Sequence, residues 1–178
     1  MIGVLVSGEG SNLQALLDAS LPVCAVASSR DGVRALDRAA AAGVPAAAFP
    51  LEHFADREQR DTIMANWLQE RGVRIVVCAG YMHLLTTAFL DRFPNRIVNV
   101  HPSLLPQFPG ARAIDDALAA GVEETGVTVH WVDEGLDTGD VIRQEPVPVH
   151  PPDTLVERIH AVEHRILPEV VRELCGVR

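Results

Sequence analysis

The sequence predicts an α/β fold: a Rossmann-like, mostly parallel twisted sheet with a C-terminal antiparallel hairpin edge and a closing helix. Three observations lead to this prediction. Short apolar runs alternate with longer segments of helical period, glycines separate them, and two stretches near the C-terminus alternate with a period of two. With 178 residues and 48% hydrophobic composition, the chain can bury one core of ordinary size, so we expect a single domain over residues 1–178.

Apolar segments rich in β-branched residues are expected to form the parallel strands, with helices between them. The predicted strands are Ile2–Val6, Val23–Ala27, Ala46–Phe49, Val73–Cys78 and Arg96–Val100. The predicted helices are Asn12–Ala19, Val33–Ala42, Arg57–Arg71 and Thr86–Arg92. Glycines stand near several of these ends, as turn and C-cap residues commonly do.

The C-terminal third follows a different pattern. Residues 125–133 and 140–150 alternate with a period of two and are joined by the sequence EGLDTG, which predicts a β-hairpin added to the edge of the sheet. Leu155–Leu174 then places apolar residues at helical spacing. We expect this last helix to close the domain.

The formal net charge of −9 argues against a general nucleic-acid binder, although a few local donors can still hold an anionic substrate. All 15 basic residues are arginine. The absence of lysine excludes a lysine Schiff base, attachment of pyridoxal phosphate and the lysine of a phosphate-binding P-loop.

The cysteines and the N-terminus indicate where the protein works. Cys24, Cys78 and Cys175 form no CxxC pair and are expected to be reduced thiols in a cytosolic protein, not a zinc site. The start of the chain lacks the features of a signal peptide, and no apolar run has transmembrane length. We therefore expect a cytoplasmic protein with no membrane partner.

The turn after the first strand, residues 7–12 (SGEGSN), places glycines before a helix, where backbone N–H groups commonly bind an anion. Leu13 occupies the position of the third glycine of a dinucleotide fingerprint, so the turn suits one phosphate group. Glu9 opposes this interpretation, since its carboxylate must point away from a bound anion. The alternative is a plain glycine turn capped by Ser11 or Asn12.

Asn99 and His101 are two residues apart on a predicted strand, so their side chains share a face at its carboxyl end. In open α/β sheets ligands bind at that edge, and the glycine turn is expected to open onto the same edge. An amide beside an imidazolium can stabilise an oxyanion, and the imidazole can also move protons. Ser103 has no nucleophile signature around it, so direct transfer to a substrate is expected. A capping or core role for His101 remains the alternative.

A carboxylate near His101 would favour the protonated imidazole. The hairpin loop offers Asp137, with Glu134 and Asp133 as rival acids. His130 lies inside an alternating strand, where a packed or hydrogen-bonded histidine is commoner than a second catalytic one.

These motifs together resemble one enzyme family. The sequence NVHPSLLP at 99–106, the Pro109-Gly110 pair and the sequence LDTG at 136–139 resemble the folate-dependent formyltransferases. The turn at 7–12 and the sequence VEH at 162–164 resemble, within them, the phosphoribosylglycinamide formyltransferases, also called glycinamide ribonucleotide transformylases. The resemblance extends from the first strand to about residue 172 in the same order.

The resemblance implies a role for particular residues. The implied catalytic residues are Asn99, His101 and Asp137, in which the aspartate favours the protonated histidine. The residues implied to bind glycinamide ribonucleotide are Gly10, Ser11 and Asn12, which hold its phosphate, and Glu163. The residues implied to contact the folate or line its cleft are Arg57, Met82, His83, Leu84, Leu85 and again Asn99.

The implied reaction transfers the formyl group of 10-formyltetrahydrofolate to the amine of glycinamide ribonucleotide, in de novo purine biosynthesis. The N-terminal half is expected to bind phosphate, and the C-terminal half to bind folate and catalyse the transfer. No metal or ATP is expected. The expected partners are the two small molecules, with no nucleic acid, in a monomer or homodimer.

The chain departs from the family pattern at three positions. His83 stands where many relatives have arginine, Arg112 where many have histidine, and His160 where some have glutamine. The first departure could change contacts to the folate tail, and the other two could change how the substrate is held. None removes a catalytic residue.

Three other functions compete with this one. A formyltetrahydrofolate hydrolase would use the same three residues with water as the acceptor, but usually has an N-terminal regulatory domain, whereas this chain begins at its first strand. Methionyl-tRNA formyltransferase needs a further C-terminal domain, and the acidic charge opposes tRNA binding. A non-catalytic nucleotide-binding regulator would leave the catalytic triad without a purpose.

Overall fold

The computed structural model describes residues 1–176 and contains a mixed, mostly parallel seven-stranded sheet with helices between the strands. The strands are β1 Ile2–Val6, β2 Val23–Ser28, β3 Ala46–Ala48, β4 Ile75–Cys78, β5 Ile97–His101, β6 Glu124–Trp131 and β7 Val141–Pro148. The helices are α1 Ser11–Asp18, α2 Arg34–Ala41, α3 Arg57–Glu70, α4 Thr87–Leu90, α5 Ala113–Ala120 and α6 Leu155–Cys175. The strand order is β3-β2-β1-β4-β5-β6-β7, which confirms the predicted α/β class.

The chain divides into two compact units, Met1–Val98 and Asn99–Arg178. In the first, β1 pairs in parallel with β2 on one side and β4 on the other, and β2 pairs in parallel with β3. Every residue of β1 is buried, as expected for a central strand covered on both faces. The prediction of a single domain over 1–178 remains a prediction, and its last two residues lie outside the described residues.

A buried ion pair ties α3 to the segment before α4. Arg60 and Asp61 are both 0% exposed, and Arg60 donates from Nε and Nη2 to Asp61 Oδ1 at 2.8 and 2.6 Å. The second carboxylate oxygen, Oδ2, accepts from the backbone N–H of Thr86 at 2.7 Å. The carboxylate therefore fixes the chain just after residues 82–85, the segment that the family resemblance associates with folate.

In the second unit, β6 and β7 form the predicted antiparallel hairpin, with Val127 opposite Glu145. Helix α6 packs against both strands and buries its apolar face, which includes Ile159, Ile166 and Val170. The closing helix is thus confirmed. Strand β7 is the last strand of the sheet on this side, and it carries Pro146 and Pro148.

The predicted element boundaries lie within one or two residues of the observed ones, and one helix was not predicted. The predicted helix Thr86–Arg92 forms over the four residues of α4, and the chain then turns through Pro94 and Asn95, which has φ 54°. The prediction missed helix α5, whose eight residues end at Gly121 with φ 65°. Its alanines and the Gly121 C-cap were available signals that the prediction did not use.

We expect Asp61→Ala to lower the free energy of unfolding by about 3–5 kcal/mol, because it leaves the Arg60 guanidinium buried without its partner. Chemical denaturation at pH 7 measures this change. Glu70→Gln is the matched control, since Glu70 and Arg71 form an exposed pair at 3.9 Å. An exposed pair contributes about 1 kcal/mol or less, so an equal loss in both variants would contradict the assigned role of Asp61.

Candidate active site

The end of β5 presents two polar side chains on one face. Asn99 is half-buried and His101 is 5% exposed. Val98, which precedes Asn99, and Val100, which lies between the two polar residues, are buried on the other face. This is the arrangement that the alternation of a strand predicts. Residues Pro102 and Ser103 then end the strand, so both polar groups lie at its carboxyl end.

The carboxylate of Asp137 joins these two side chains. Asp137 Oδ2 lies 3.5 Å from His101 Nδ1, and Oδ1 accepts from Asn99 Nδ2 at 3.4 Å. The backbone N–H of Gly110 also donates to Oδ2, at 2.8 Å. The Asp137 side chain is 11% exposed and its residue adopts φ 54°, a left-handed conformation that aspartate tolerates better than most residues. The amide, imidazole and carboxylate therefore form one connected cluster.

The other two acids of the hairpin loop are used differently. Asp133 accepts from the backbone N–H of Gly135 at 3.0 Å and from the Thr138 hydroxyl at 2.7 Å, so it holds the loop together. Glu134 is exposed. Of the three candidate acids, Asp137 is the one that the fold brings to His101.

Both ring nitrogens of His101 face oxygen atoms. Nε2 lies 2.8 Å from the backbone carbonyl of Phe108, which can only accept, so Nε2 carries a proton. On the other side Nδ1 faces the Asp137 carboxylate. An imidazolium donates through both nitrogens and satisfies both contacts, whereas the neutral ring would turn a lone pair toward the carboxylate.

His130 belongs to the same cluster. Its Nδ1 donates to the Trp131 carbonyl at 2.8 Å, and its Nε2 lies 3.2 Å from Asn99 Nδ2 and 3.6 Å from Asp137 Oδ1. It is a buried, hydrogen-bonded histidine, as its strand position indicated, but its partners are two of the candidate catalytic residues. The available signal was its position near the end of β6, a few residues before the acid loop.

Competing effects set the protonation of Asp137. Burial acts to raise the pKa of its carboxyl, but the hydrogen bond with His130, the Gly110 N–H and the charges of His101 and His130 outweigh burial. The net result is a pKa below the ordinary value of 3.8. The carboxylate is therefore ionised at neutral pH and can stabilise a cation beside it.

The predicted phosphate turn lies in the first unit. Gly10 is the N-cap residue of α1 and has φ 73°. A Cβ atom at Gly10 would lie 2.6 Å from the Ala35 Cβ, and Ala35 donates its N–H to the Gly8 carbonyl at 3.1 Å. Glycine is required here both for the left-handed backbone and for the close packing of α2. The turn leads directly into Ser11 and Asn12, the first residues of α1, so no capping side chain stands at the N-cap itself.

The segment implied to contact the folate also lies in the first unit. Arg57 donates to the Leu84 carbonyl at 2.6 Å, and the Met82 N–H donates to the Ser7 hydroxyl at 2.9 Å. Met82 and Leu84 expose much of their apolar side chains, whereas Leu85 is buried. The backbone is held at both ends while two apolar side chains remain available to a ring.

His83 departs from the arginine of many relatives. Its ring lies 5.6 Å from that of Tyr81. Partial burial lowers the pKa of His83, and the charges of Arg60 and Arg57 lower it further. Because the ordinary value is 6.5, the ring is mostly neutral at pH 7, and the segment lacks the fixed cation that an arginine would supply.

Glu163 lies on α6 in the second unit and is buried. The described residues contain no group of three or more histidine, cysteine, aspartate or glutamate side chains placed to hold a metal ion. Within residues 1–176, none of the helices has the length and apolar character that crossing a bilayer requires.

Comparison with known proteins identifies the class. The family model of the formyl transferases matches residues 1–171, and the chain belongs to this family. Phosphoribosylglycinamide formyltransferase of Bacillus subtilis is 35% identical over 98% of this chain and 94% of its own length. The crystal structure of glycinamide ribonucleotide transformylase 1 from Symbiobacterium toebii superposes with a TM-score of 0.93 at 47% identity, covering 96% of this chain and 85% of that one. The predicted resemblance is thereby confirmed.

Other relatives are much longer. The trifunctional purine biosynthetic protein adenosine-3 of Chironomus tentans is 43% identical over 96% of this chain, which spans only 13% of that protein. The matched region is therefore one part of a larger polypeptide in that organism.

The lowered pKa of Asp137 makes a prediction for stability. The ionised Asp137 carboxylate stabilises the folded state fully above its ordinary pKa of 3.8. This stabilisation is lost as the pH falls through the lower pKa that Asp137 has in the folded protein. The unmodified protein should therefore have a higher free energy of unfolding than the Asp137→Asn variant at neutral pH. This difference between the two proteins should become smaller below about pH 4. Denaturation curves from pH 7 to pH 2.5 measure it. Glu134→Gln, an exposed acid of the same loop, should change stability by about 0.5 kcal/mol or less at pH 7. A pH-independent difference for Asp137→Asn would contradict the prediction.

Proposed function

We propose that the protein transfers the formyl group of 10-formyltetrahydrofolate to the amine of 5-phosphoribosylglycinamide, giving formylglycinamide ribonucleotide and tetrahydrofolate in de novo purine biosynthesis. Membership of the formyl transferase family supports the reaction class. The near full-length match to the Bacillus subtilis enzyme supports the acceptor. The observation that carries the proposal is the Asp137 carboxylate in contact with both Asn99 and His101.

The chemistry follows from the cluster. The free amine of the ribonucleotide attacks the formyl carbon and gives a tetrahedral oxyanion. The Asn99 amide and protonated His101 donate to this oxygen, while the Asp137 carboxylate stabilises the imidazolium. Protons pass from the attacking nitrogen to the folate N10, which leaves as the C–N bond breaks, with water held by Asp137 as the carrier.

The Phe108 carbonyl accepts a hydrogen bond from His101 Nε2, the ring nitrogen that points away from Asp137. A substrate oxygen stabilised by Nε2 must take the place of this carbonyl, because one N–H makes one strong hydrogen bond. The proposal therefore requires the turn around Phe108 to release the histidine when the formyl group binds. Phe108 itself has φ 52°, an uncommon conformation for a non-glycine residue and one that local contacts must hold in place.

Substrate binding is assigned to residues outside this cluster. Gly10, Ser11 and Asn12 would hold the phosphate through their position at the N-terminus of α1, and Glu163 would contact the ribonucleotide. The left-handed Gly10 and its close packing on α2 support the first assignment, because they fix the direction of the following N–H groups.

The folate is assigned to Met82, His83, Leu84 and Leu85, with Arg57 and Asn99. The exposed apolar side chains of Met82 and Leu84 support contact with a flat ring. Arg57 lines an open groove of about 580 Å³ whose other walls include Leu51 and Phe54. The lining also includes the acids Asp56 and Glu58, so Arg57 is the lining cation that would pair with a carboxylate on the folate tail.

The reaction as written requires neither a metal nor ATP, because the formyl group arrives already activated on the folate nitrogen. Cytoplasmic location, and assembly as a monomer or homodimer, are parts of the same proposal. So is the absence of a nucleic-acid partner, which the net charge of −9 supports.

A coupled spectroscopic assay with 10-formyltetrahydrofolate, run with and without glycinamide ribonucleotide, tests the function. We expect folate turnover only when the ribonucleotide is present. Turnover without it would indicate a hydrolase with water as the acceptor. No turnover under either condition would contradict the proposal and favour a binding protein.

His101→Ala should lower kcat by about 10²- to 10⁴-fold, because it removes both the acid and an oxyanion donor, and should change the KM for folate little. The exposed His150, changed to alanine, is the matched control and should keep full turnover. Steady-state kinetics with both substrates measures the two effects. Unchanged kcat in His101→Ala would remove this residue from the mechanism.

A further inference from the structure

The turn implied to bind phosphate contains an acid, Glu9, whose charge should oppose a phosphate dianion. The structure shows how this charge is offset. Arg34 Nη1 and Arg38 Nη2 both contact Glu9 Oε1, at 3.0 and 2.8 Å. The two arginines are four residues apart on α2, so they present their charges from one face of that helix.

Arg38 makes the more extensive contact of the two. Its Nε donates to the Glu9 backbone carbonyl at 2.9 Å, and its Nη1 donates to Gln14 Oε1 on α1 at 3.0 Å. The Arg38 guanidinium thus contacts the turn at two points, the carboxylate and the backbone carbonyl of Glu9, and contacts α1 at a third point. Its side chain is 19% exposed, against 66% for Arg34, whose polar contact within residues 1–176 is with the carboxylate alone.

The backbone of the turn is packed on the same helix. Ala35 lies between the two arginines, donates to the Gly8 carbonyl and leaves no room for a side chain at Gly10. Helix α2 therefore holds the turn in two ways: Ala35 packs closely against its backbone, and the arginines on either side of Ala35 in the sequence contact Glu9. The position of the following N–H groups depends on this support.

We propose that Arg38 is a positioning residue for the ribonucleotide phosphate: it holds the turn through Glu9 and offsets the charge of that acid, so that the turn accepts a dianion. Arg34 adds charge without fixing the backbone. This inference rests on the proposed function, because it takes the turn at residues 8–12 as the phosphate site. It also explains how Glu9 is compatible with that site.

Arg38→Met keeps much of the length of the side chain and removes the guanidinium. We expect it to raise the KM for glycinamide ribonucleotide about five- to tenfold, with kcat and the KM for folate within about twofold, because Glu9 then keeps the exposed Arg34 alone of its two arginines and the turn loses its contacts with the guanidinium. Arg34→Met should raise the same KM less, by about twofold. Steady-state kinetics at low and high salt measures both, and screening by salt should reduce the difference.

The double variant Glu9→Gln/Arg38→Met separates charge from simple loss of structure. Removing the carboxylate as well should recover part of the affinity for the ribonucleotide, which a merely unstable turn would not allow. Arg143→Met is the matched control, since Arg143 binds Glu169 and Glu173 at the surface of the second unit. It should leave both KM values unchanged.

Three results would overturn the proposal, and they are distinguishable. Suppose that the unmodified protein shows ribonucleotide-dependent turnover but that Arg38→Met leaves the KM for the ribonucleotide unchanged. This result would overturn the present inference and leave the proposed function standing. Absence of such turnover in the unmodified protein would overturn the proposed function and this inference together. An equal rise of both KM values in Arg38→Met, with no recovery in the double variant, would assign Arg38 a structural role only.

Discussion

The carboxylate of Asp137 is the group on which the candidate active site depends. Its two oxygens receive contacts from the end of β5, the end of β6 and the Gly110 turn, three separate segments of the second unit. Each contact favours the ionised carboxylate, and together they outweigh the effect of burial on its pKa. The same charge holds the His101 imidazole in one orientation. The Phe108 carbonyl holds the other nitrogen of this ring, and His130 contacts the Asn99 amide, so the carboxylate orients both groups together with these neighbours.

The sequence predicted the fold well because its signals are local. Strand β1 was predicted over the residues that form it, and the period-two alternation located the hairpin of β6 and β7. Helix α5 was missed although it is as long as α1 and α2, and its alanine-rich sequence before Gly121 was a usable signal. The C-terminal end of α4 was predicted two residues too late, because the turn through Pro94 and Asn95 is not visible in a helical pattern.

The candidate site was predictable only in part. Strand geometry placed Asn99 and His101 on one face, but the choice of Asp137 over Asp133 and Glu134 needed the resemblance, since it depends on how the loop folds back. The contacts of His130 with Asn99 and Asp137 join two elements, so no spacing in the sequence could reveal them. The contacts of Arg34 and Arg38 with Glu9 were not predicted for the same reason, because 25 and 29 residues separate the partners in the sequence.

Strand β7 has a consequence for how the protein associates with itself. The Val149 N–H donates to the Glu123 carbonyl, so odd-numbered residues here direct their N–H groups toward β6 and even-numbered residues direct theirs outward. Pro146 and Pro148 stand at outward positions and have no N–H to offer a further strand. The charged side chains of Arg143 and Glu145 precede this stretch on the same strand and pair with α6. A dimer that extends the sheet across this part of β7 is therefore disfavoured, and aggregation by edge-to-edge pairing is disfavoured there as well.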